Sequence, residues 1–284
     1  MPLLGFTQDD LLKSIDSNSN ERAPVTGAFK SSRVINGHSM EMIGAGVLDF
    51  RILHRFGTVK QGFKNMFGLD EARMRMGFDL GLTKNLSVGI GRSTLNKELD
   101  GFVKYRVLQQ TEGNGEIPLS IILVAGSSIH TLENLNPNRK LEFSSRLGYF
   151  YQLIAGRKFS EGFSLQLSPT LVHRNLVDGK DDNDTYAVGI GARQKLSKRV
   201  ALVLDYFYIV NGLPSSDLHN PLSVGIDIET GGHVFQLHFS NATGMNEKAF
   251  ITGTSENWGN GEVRFGFNLS RVFTLKKQKE TEKW

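Results

Sequence analysis

Arginine, lysine and aspartate recur in this chain at every second position of stretches that otherwise alternate with apolar residues. Arg51 lies between Phe50 and Ile52. Arg73, Arg75 and Asp79 alternate with Met74, Met76, Phe78 and Leu80, and Lys104 and Arg106 with Val103, Tyr105 and Val107. Arg92, Arg146, Arg193, Asp205, Asp227 and Arg264 are assigned to the same polar face, with Asp49, Arg174 and Glu229 in their company. A side-chain period of two sends successive residues to opposite faces of a strand. Charges gathered on the enclosed face of a closed sheet would line a pore or pocket, where rings of charge tune which solutes pass. The excess of arginine tilts that reading towards a small polar or anionic solute. The same set also reads as a salt-bridge network that fills a narrow barrel and holds its shape.

The element that must position these groups is plainest at 71–93, EARMRMGFDLGLTKNLSVGIGRS. Met74, Met76, Phe78, Leu80 and Leu82 point one way, Arg73, Arg75, Gly77, Asp79 and Gly81 the other. After Lys84-Asn85 the alternation resumes with Leu86, Val88 and Ile90. This is a two-faced hairpin with a minimal turn. Glycine weakens a strand interior unless something needs the space or the curvature. A sheet apolar towards lipid and polar towards a lumen supplies that reason.

Composition narrows the classes. The chain has 284 residues, a net charge of +4, no cysteine, 31 glycines and 19 phenylalanines. The absence of cysteine removes disulfides, thiolate metal sites and a cysteine nucleophile. The basic residues are scattered among acids, whereas nucleic acid demands a basic patch or stripe. No window approaches 18 uninterrupted apolar residues, so no transmembrane helix is expected; barrel strands leave a much weaker signal.

Further alternating stretches predict strands at 46–56, 98–108, 116–126, 141–155, 163–174, 185–194, 199–210, 222–229, 233–240 and 262–273, about twelve in all with the hairpin. The stretch 116–126 is apolar on both faces and gives no lumen side. Short and long connections alternate, as periplasmic turns and extracellular loops should; the links at 93–97 and 109–115 fit least well. The expected domains are 1–8, a signal-peptide remnant; 9–45, an N-terminal periplasmic or plug-like segment; 46–274, the barrel; and 275–284, a charged tail. Residues 26–43 alternate weakly and read as an extra strand or as a segment tucked into the barrel. The loops 127–140 and 241–260 are expected to face outwards, where a protein partner would meet them.

Other motifs carry less. VGIGR (88–92) and VGIGAR (188–193) place glycines within strands rather than in a strand-to-helix turn, so they do not make a nucleotide loop. DGKDDND (178–184) offers hard oxygen donors without EF-hand spacing. Ser168 and His173 share a strand but fall on opposite faces, unsuited to a nucleophile–base hydrogen bond; His38 with Ser39 lies in the ambiguous N-terminal segment. No metal, cofactor or enzymatic activity is expected. The aromatic clusters 149–151 and 206–208 read as interface girdles.

FKSSRVINGHSME (29–41), GAGVLDFRILHRFG (44–57), GLDEARMRMGFDLGLT (68–83), VGIGRS (88–93) and DGFVKYRVLQQ (100–110) resemble an uncharacterised family of Bacteroidota outer-membrane β-barrels, a domain of unknown function. The resemblance implies fold and a Gram-negative outer-membrane location, and brings no catalytic or ligand residues. The expected fold is therefore all-β, a closed antiparallel transmembrane β-barrel of about twelve strands. Three functions stand open: a narrow pore or binding barrel for a small polar or anionic solute, a structural or interaction barrel with a side-chain-plugged lumen, and a lipid-modifying enzyme. The expected partners are outer-membrane lipid, the solute, and a protein reached through the outer loops.

Overall fold

The computed structural model describes residues 22–132, 142–177, 181–211, 217–230 and 233–275. In chain order its strands are β1 Ala23–Pro24, β2 Val47–Thr58, β3 Ala72–Gly81, β4 Leu86–Ser93, β5 Glu98–Leu108, β6 Thr111–Glu112 and β7 Ser120–His130. They continue with β8 Leu147–Lys158, β9 Phe163–Arg174, β10 Asp184–Lys195, β11 Val200–Ile209, β12 Leu222–Thr230, β13 His233–Ser240 and β14 Arg264–Thr274. A short helix, α1, spans Glu247–Thr252. The strands β2–β5 and β7–β14 form a closed barrel of twelve. Every pairing is antiparallel, and β14 closes on β2 from Thr274↔Val47 to Arg264↔Thr58. Closure removes the sheet edge that could not survive in lipid.

The faces are inverted relative to a soluble sheet. Phe78 and Tyr151, pointing outwards, are 48% and 54% exposed, while Arg75 and Asp79, pointing inwards, are 0% exposed. Among the described residues no helix is long and apolar enough to cross a membrane. Inward glycines make room for phenylalanine rings. A Cβ on Gly189 would meet the Phe207 ring at 2.6 Å, and Gly89 and Gly126 are overlaid in the same way by Phe102 and Phe150.

One strand and two connections depart from the sequence-based reading. The apolar stretch expected at 116–126 forms β7, shifted to Ser120–His130. Its inward residues include Ile122 and Val124, which pack against the buried lumen phenylalanines, so no polar phase marked the lumen side. The long link after β5 contains β6, which pairs with β1 and anchors the chain entering from the N-terminus. The segment 241–260, expected to reach outwards, instead folds into the barrel mouth: Met245 and Phe250 are 0% exposed. Residues 1–21, 133–141, 178–180, 212–216, 231–232 and 276–284 lie outside the described residues, and with them the expected signal-peptide remnant, most of the expected charged tail, and parts of the stretches expected as loops at 127–140 and 178–184.

Candidate functional site

The lumen is occupied by the chain's own N-terminal segment. From the short-turn end, where Val25 N–H donates to the Gln110 carbonyl, the chain runs into the barrel, reverses at 35–37 and returns, so that Gly46 N–H meets the Gly81 carbonyl. Arg33 and His38 bridge its two arms. Every residue from Ser32 to Met40 is buried. A loop without a ladder carries unpaired backbone groups, which are costly to bury unless bonded. The inward side chains of the wall meet them. Asp205 accepts from the backbone N–H groups of Asn36 at 2.7 Å and Gly37 at 2.9 Å. Gln166 accepts from Met40 N–H at 2.8 Å and donates to the His38 carbonyl at 2.7 Å. Gln236 and Asn268 donate to the carbonyls of Val34 and Ile35 at 2.6 and 3.0 Å. Lys104 Nζ donates to the carbonyls of Ser32 at 3.2 Å and Glu41 at 2.6 Å. Arg55 donates to Asn36 Oδ1 at 2.6 Å.

The predicted lumen charges divide by position. Arg51, Arg75, Asp79, Lys104, Arg193, Asp205 and Asp227 are buried in the barrel. Arg51 bonds Asp49 at 2.8 Å, lies 3.4 Å from Asp79 and reaches Ser31 Oγ at 2.6 Å. Arg75 forms a two-point ion pair with Asp100, a geometry that strengthens charged hydrogen bonds. Asp227 accepts from Gln236 at 2.6 Å. Four others sit at the mouths. Arg73 is exposed at the start of β3. Arg106 is half-buried and staples the 82–85 turn through Lys84 and Asn85. Arg146 lies in a 3₁₀ turn before β8 rather than in a strand. Arg264 pairs with Glu256. Arg92 does not face the lumen: it follows Leu86, Val88 and Ile90 on the outward phase of β4 and is exposed. Its long side chain, at the strand end, can carry its charge beyond an apolar belt.

Several residues of the site were not singled out from the sequence. Arg55 follows Arg51 and Leu53 on the inward phase of β2, and Glu98 and Asp100 precede Phe102 and Lys104 on that of β5, so reading the alternation to the strand ends would have found them. Arg33, Glu41 and Glu247 lie in stretches without strand alternation, and no pattern marks them; His38, in the ambiguous N-terminal segment, carries no sequence signal of its role. Ser168 and His173 lie on opposite faces of β9, and His173 Nδ1 pairs instead with Asp184 at 2.6 Å.

From the other end, α1 descends to meet the hairpin. Glu247 lies 2.9 Å from Arg33, both side chains being 2% exposed, and 3.5 Å from His38 Nε2. Lys248 pairs with Glu98. The Phe250 ring packs edge-on against Phe207 at 5.0 Å, and Phe207 also abuts Gly37. Burial, then the neighbouring cations Arg33, Lys104, Arg51 and Arg75, hold the His38 imidazolium well below its usual range. Burial raises the carboxyls of Glu41 and Glu247, against the pull of nearby hydrogen bonds and cations. Among the described residues, two openings border the hairpin. A cavity of about 10 Å³ borders Arg33, Arg51, Gln236 and Asn268, roughly room for one water. A vestibule of about 300 Å³ opens at the short-turn mouth beside Lys30, Glu41, Asp49 and Glu229.

A closed twelve-stranded barrel, apolar outside and charged within, defines a membrane β-barrel of porin-like architecture. The chain belongs to the family described as Membrane bound beta barrel domain (DUF5777), matched over residues 29–273, a span that begins at the lumen hairpin. Among solved structures it is similar to the NanC porin, with a TM-score of 0.50 and 7% identity over 80% of this chain and 98% of that one. It is also similar to the KdgM porin, at TM-score 0.46 and 11% identity over 80% and 99% of the two chains. The translocator domain of the autotransporter NalP from Neisseria meningitidis matches at TM-score 0.37 and 15% identity, over 93% of each chain. At 7% identity the NanC likeness speaks to the fold alone. No curated protein matches the sequence.

Proposed function

We propose that this is an outer-membrane barrel of a Gram-negative bacterium, of the Bacteroidota to which the sequence resemblance points, whose lumen is a narrow path for a small polar solute held shut by its own inserts. The observation that supports this is the hairpin 28–43, seated in a charged lumen and bonded to it through side chains of six strands. The short turns would face the periplasm, and the hairpin would enter from that side. In the closed state Arg51, Arg55, Arg75 and Lys104 are engaged by the hairpin or by acids, so they are not displayed to a solute. The buried wall charges also balance: Arg51, Arg55, Arg75, Lys104 and Arg193 against Asp49, Asp79, Glu98, Asp205 and Asp227. A preference for anions therefore does not follow from charge count.

Ion conductance in a planar bilayer tests the proposal. The intact chain should be silent or open rarely. A variant with 28–43 replaced by a short Gly-Ser link and 244–253 shortened should show large discrete steps, and its reversal potential under a salt gradient reads the sign preference. A folded variant lacking both inserts that still does not conduct sinks the pore reading. It would leave the second one, a structural or interaction barrel, which the extent of hairpin bonding also favours.

A further inference from the structure

We infer that the two inserts form one coupled closure, in which α1, carried by the long loop at one end of the barrel, holds the hairpin that enters from the other. Two contacts join them. The first is ionic: Arg33 donates to Glu247 at 2.9 Å and to the Asn36 carbonyl at 2.7 Å, so one buried guanidinium ties the hairpin tip to α1. The second is aromatic: Phe250 of α1 packs on Phe207, whose ring lies against Gly37. A buried cation stripped of its carboxylate is strongly disfavoured, and withdrawing Glu247 removes the acid to which Arg33 is directly hydrogen-bonded, leaving it the Asn36 carbonyl and His38 as bonding partners. The hairpin's docking thus depends on a loop that starts and ends at the opposite mouth. That loop is itself fastened to the rim, by Trp258 Nε1 donating to the Leu222 carbonyl at 2.9 Å and by Asn241 bonding the carbonyls of Asn220 and Glu256. Pulling it outwards loosens the hairpin towards the far side. Coupling between sites needs such a chain of contacts with two arrangements, biased from either end.

That this coupling controls passage rests on the proposed pore; the coupling itself does not, and it can be read without conductance. The chain has no cysteine, so Ser32→Cys, on the hairpin and 7% exposed, is a single reporter. In the folded barrel a water-soluble maleimide should label it slowly. Adding Glu247→Gln should raise the rate at least tenfold, while Asn260→Gln, at an exposed position elsewhere in the same loop, should leave it unchanged. If Glu247→Gln fails to fold, judged by heat-modifiable migration on a gel, shortening 244–253 supplies the same test. An unchanged rate in the folded variant overturns the coupling. Faster labelling with a hairpin-free barrel that stays silent keeps the coupling and removes the pore; unchanged labelling with a conducting hairpin-free barrel does the reverse.

Discussion

Asp205 shows what an inward carboxylate does here. Its Oδ2 takes two backbone N–H donors at the hairpin tip, 2.7 and 2.9 Å away, in a place closed to water. Asp205→Ala leaves both donors buried without an acceptor, at a cost of about 1–3 kcal/mol each. We expect hydrogen exchange at residues 34–40 to lose protection in this variant, while Asp205→Asn, which keeps an acceptor oxygen, retains most of it. Equal protection in Asp205→Ala and the unaltered chain would show that the tip is held by other contacts. The role of this residue was only half legible. The alternation of Leu204, Asp205 and Tyr206 placed it inwards, but an inward aspartate reads equally as a pore charge or as a bond to something inside. Only the approach of Asn36, 169 positions earlier in the chain, distinguishes the two.

At the scale of the element, the hairpin is a segment with no regular hydrogen bonding of its own beyond the Arg33–His38 bridge, stabilised by its surroundings. Its docking should therefore follow the protonation of the groups it buries. His38 is held neutral when docked, by burial and by Arg33, Lys104, Arg51 and Arg75; undocked, it titrates near its usual 6.5. A base whose value is depressed in the docked state adds stability that is full above the undocked value and falls as pH drops below it. Glu41, raised by burial, acts with the opposite sign: its contribution is full below the usual carboxyl range and is lost as pH rises through its raised value. A nitroxide at Lys30→Cys, beside the vestibule, should gain a mobile component between pH 7.5 and 5.5, and His38→Gln should abolish that gain. The same gain in both proteins would remove His38 as its cause. The loop α1 belongs to follows the same logic. Polar and uneven in composition, it reads as an outward loop, and its burial comes from a lumen wide enough to admit it.

For the whole molecule, the decisive feature is the inversion of polarity across one sheet. Phe78 lies outwards in the middle of β3 and Asp79 next to it is fully buried. An arginine on the lipid face near the bilayer midplane costs about 2–4 kcal/mol. Phe78→Arg should accordingly lower the folded fraction in vesicles of phospholipid, measured by heat-modifiable migration against urea. Lys84→Arg, in a turn outside the strands, should leave it unaltered. Equal folding of both variants would place Phe78 outside the hydrocarbon. The filling of the lumen is a second whole-molecule property: three phenylalanines seated over inward glycines, two inserts and paired charges leave a void of about 10 Å³ beside Arg33.

The sequence alone determined the all-β class and, for all but the apolar strand β7, the two faces of the strands, because a period of two is a local property that needs no partner to be read. It also placed most of the inward charges, since each follows from the phase of its own strand; Arg92 was misplaced where that phase was set aside. The tertiary structure alone decided what the charges face. The hairpin and α1 have no period and no pairing pattern, and their contacts join residues as far apart as Arg33 and Glu247, 214 positions along the chain. Which side chain meets a buried backbone group depends on where the closed barrel puts it in space, and the order of residues along the chain does not contain that information in readable form.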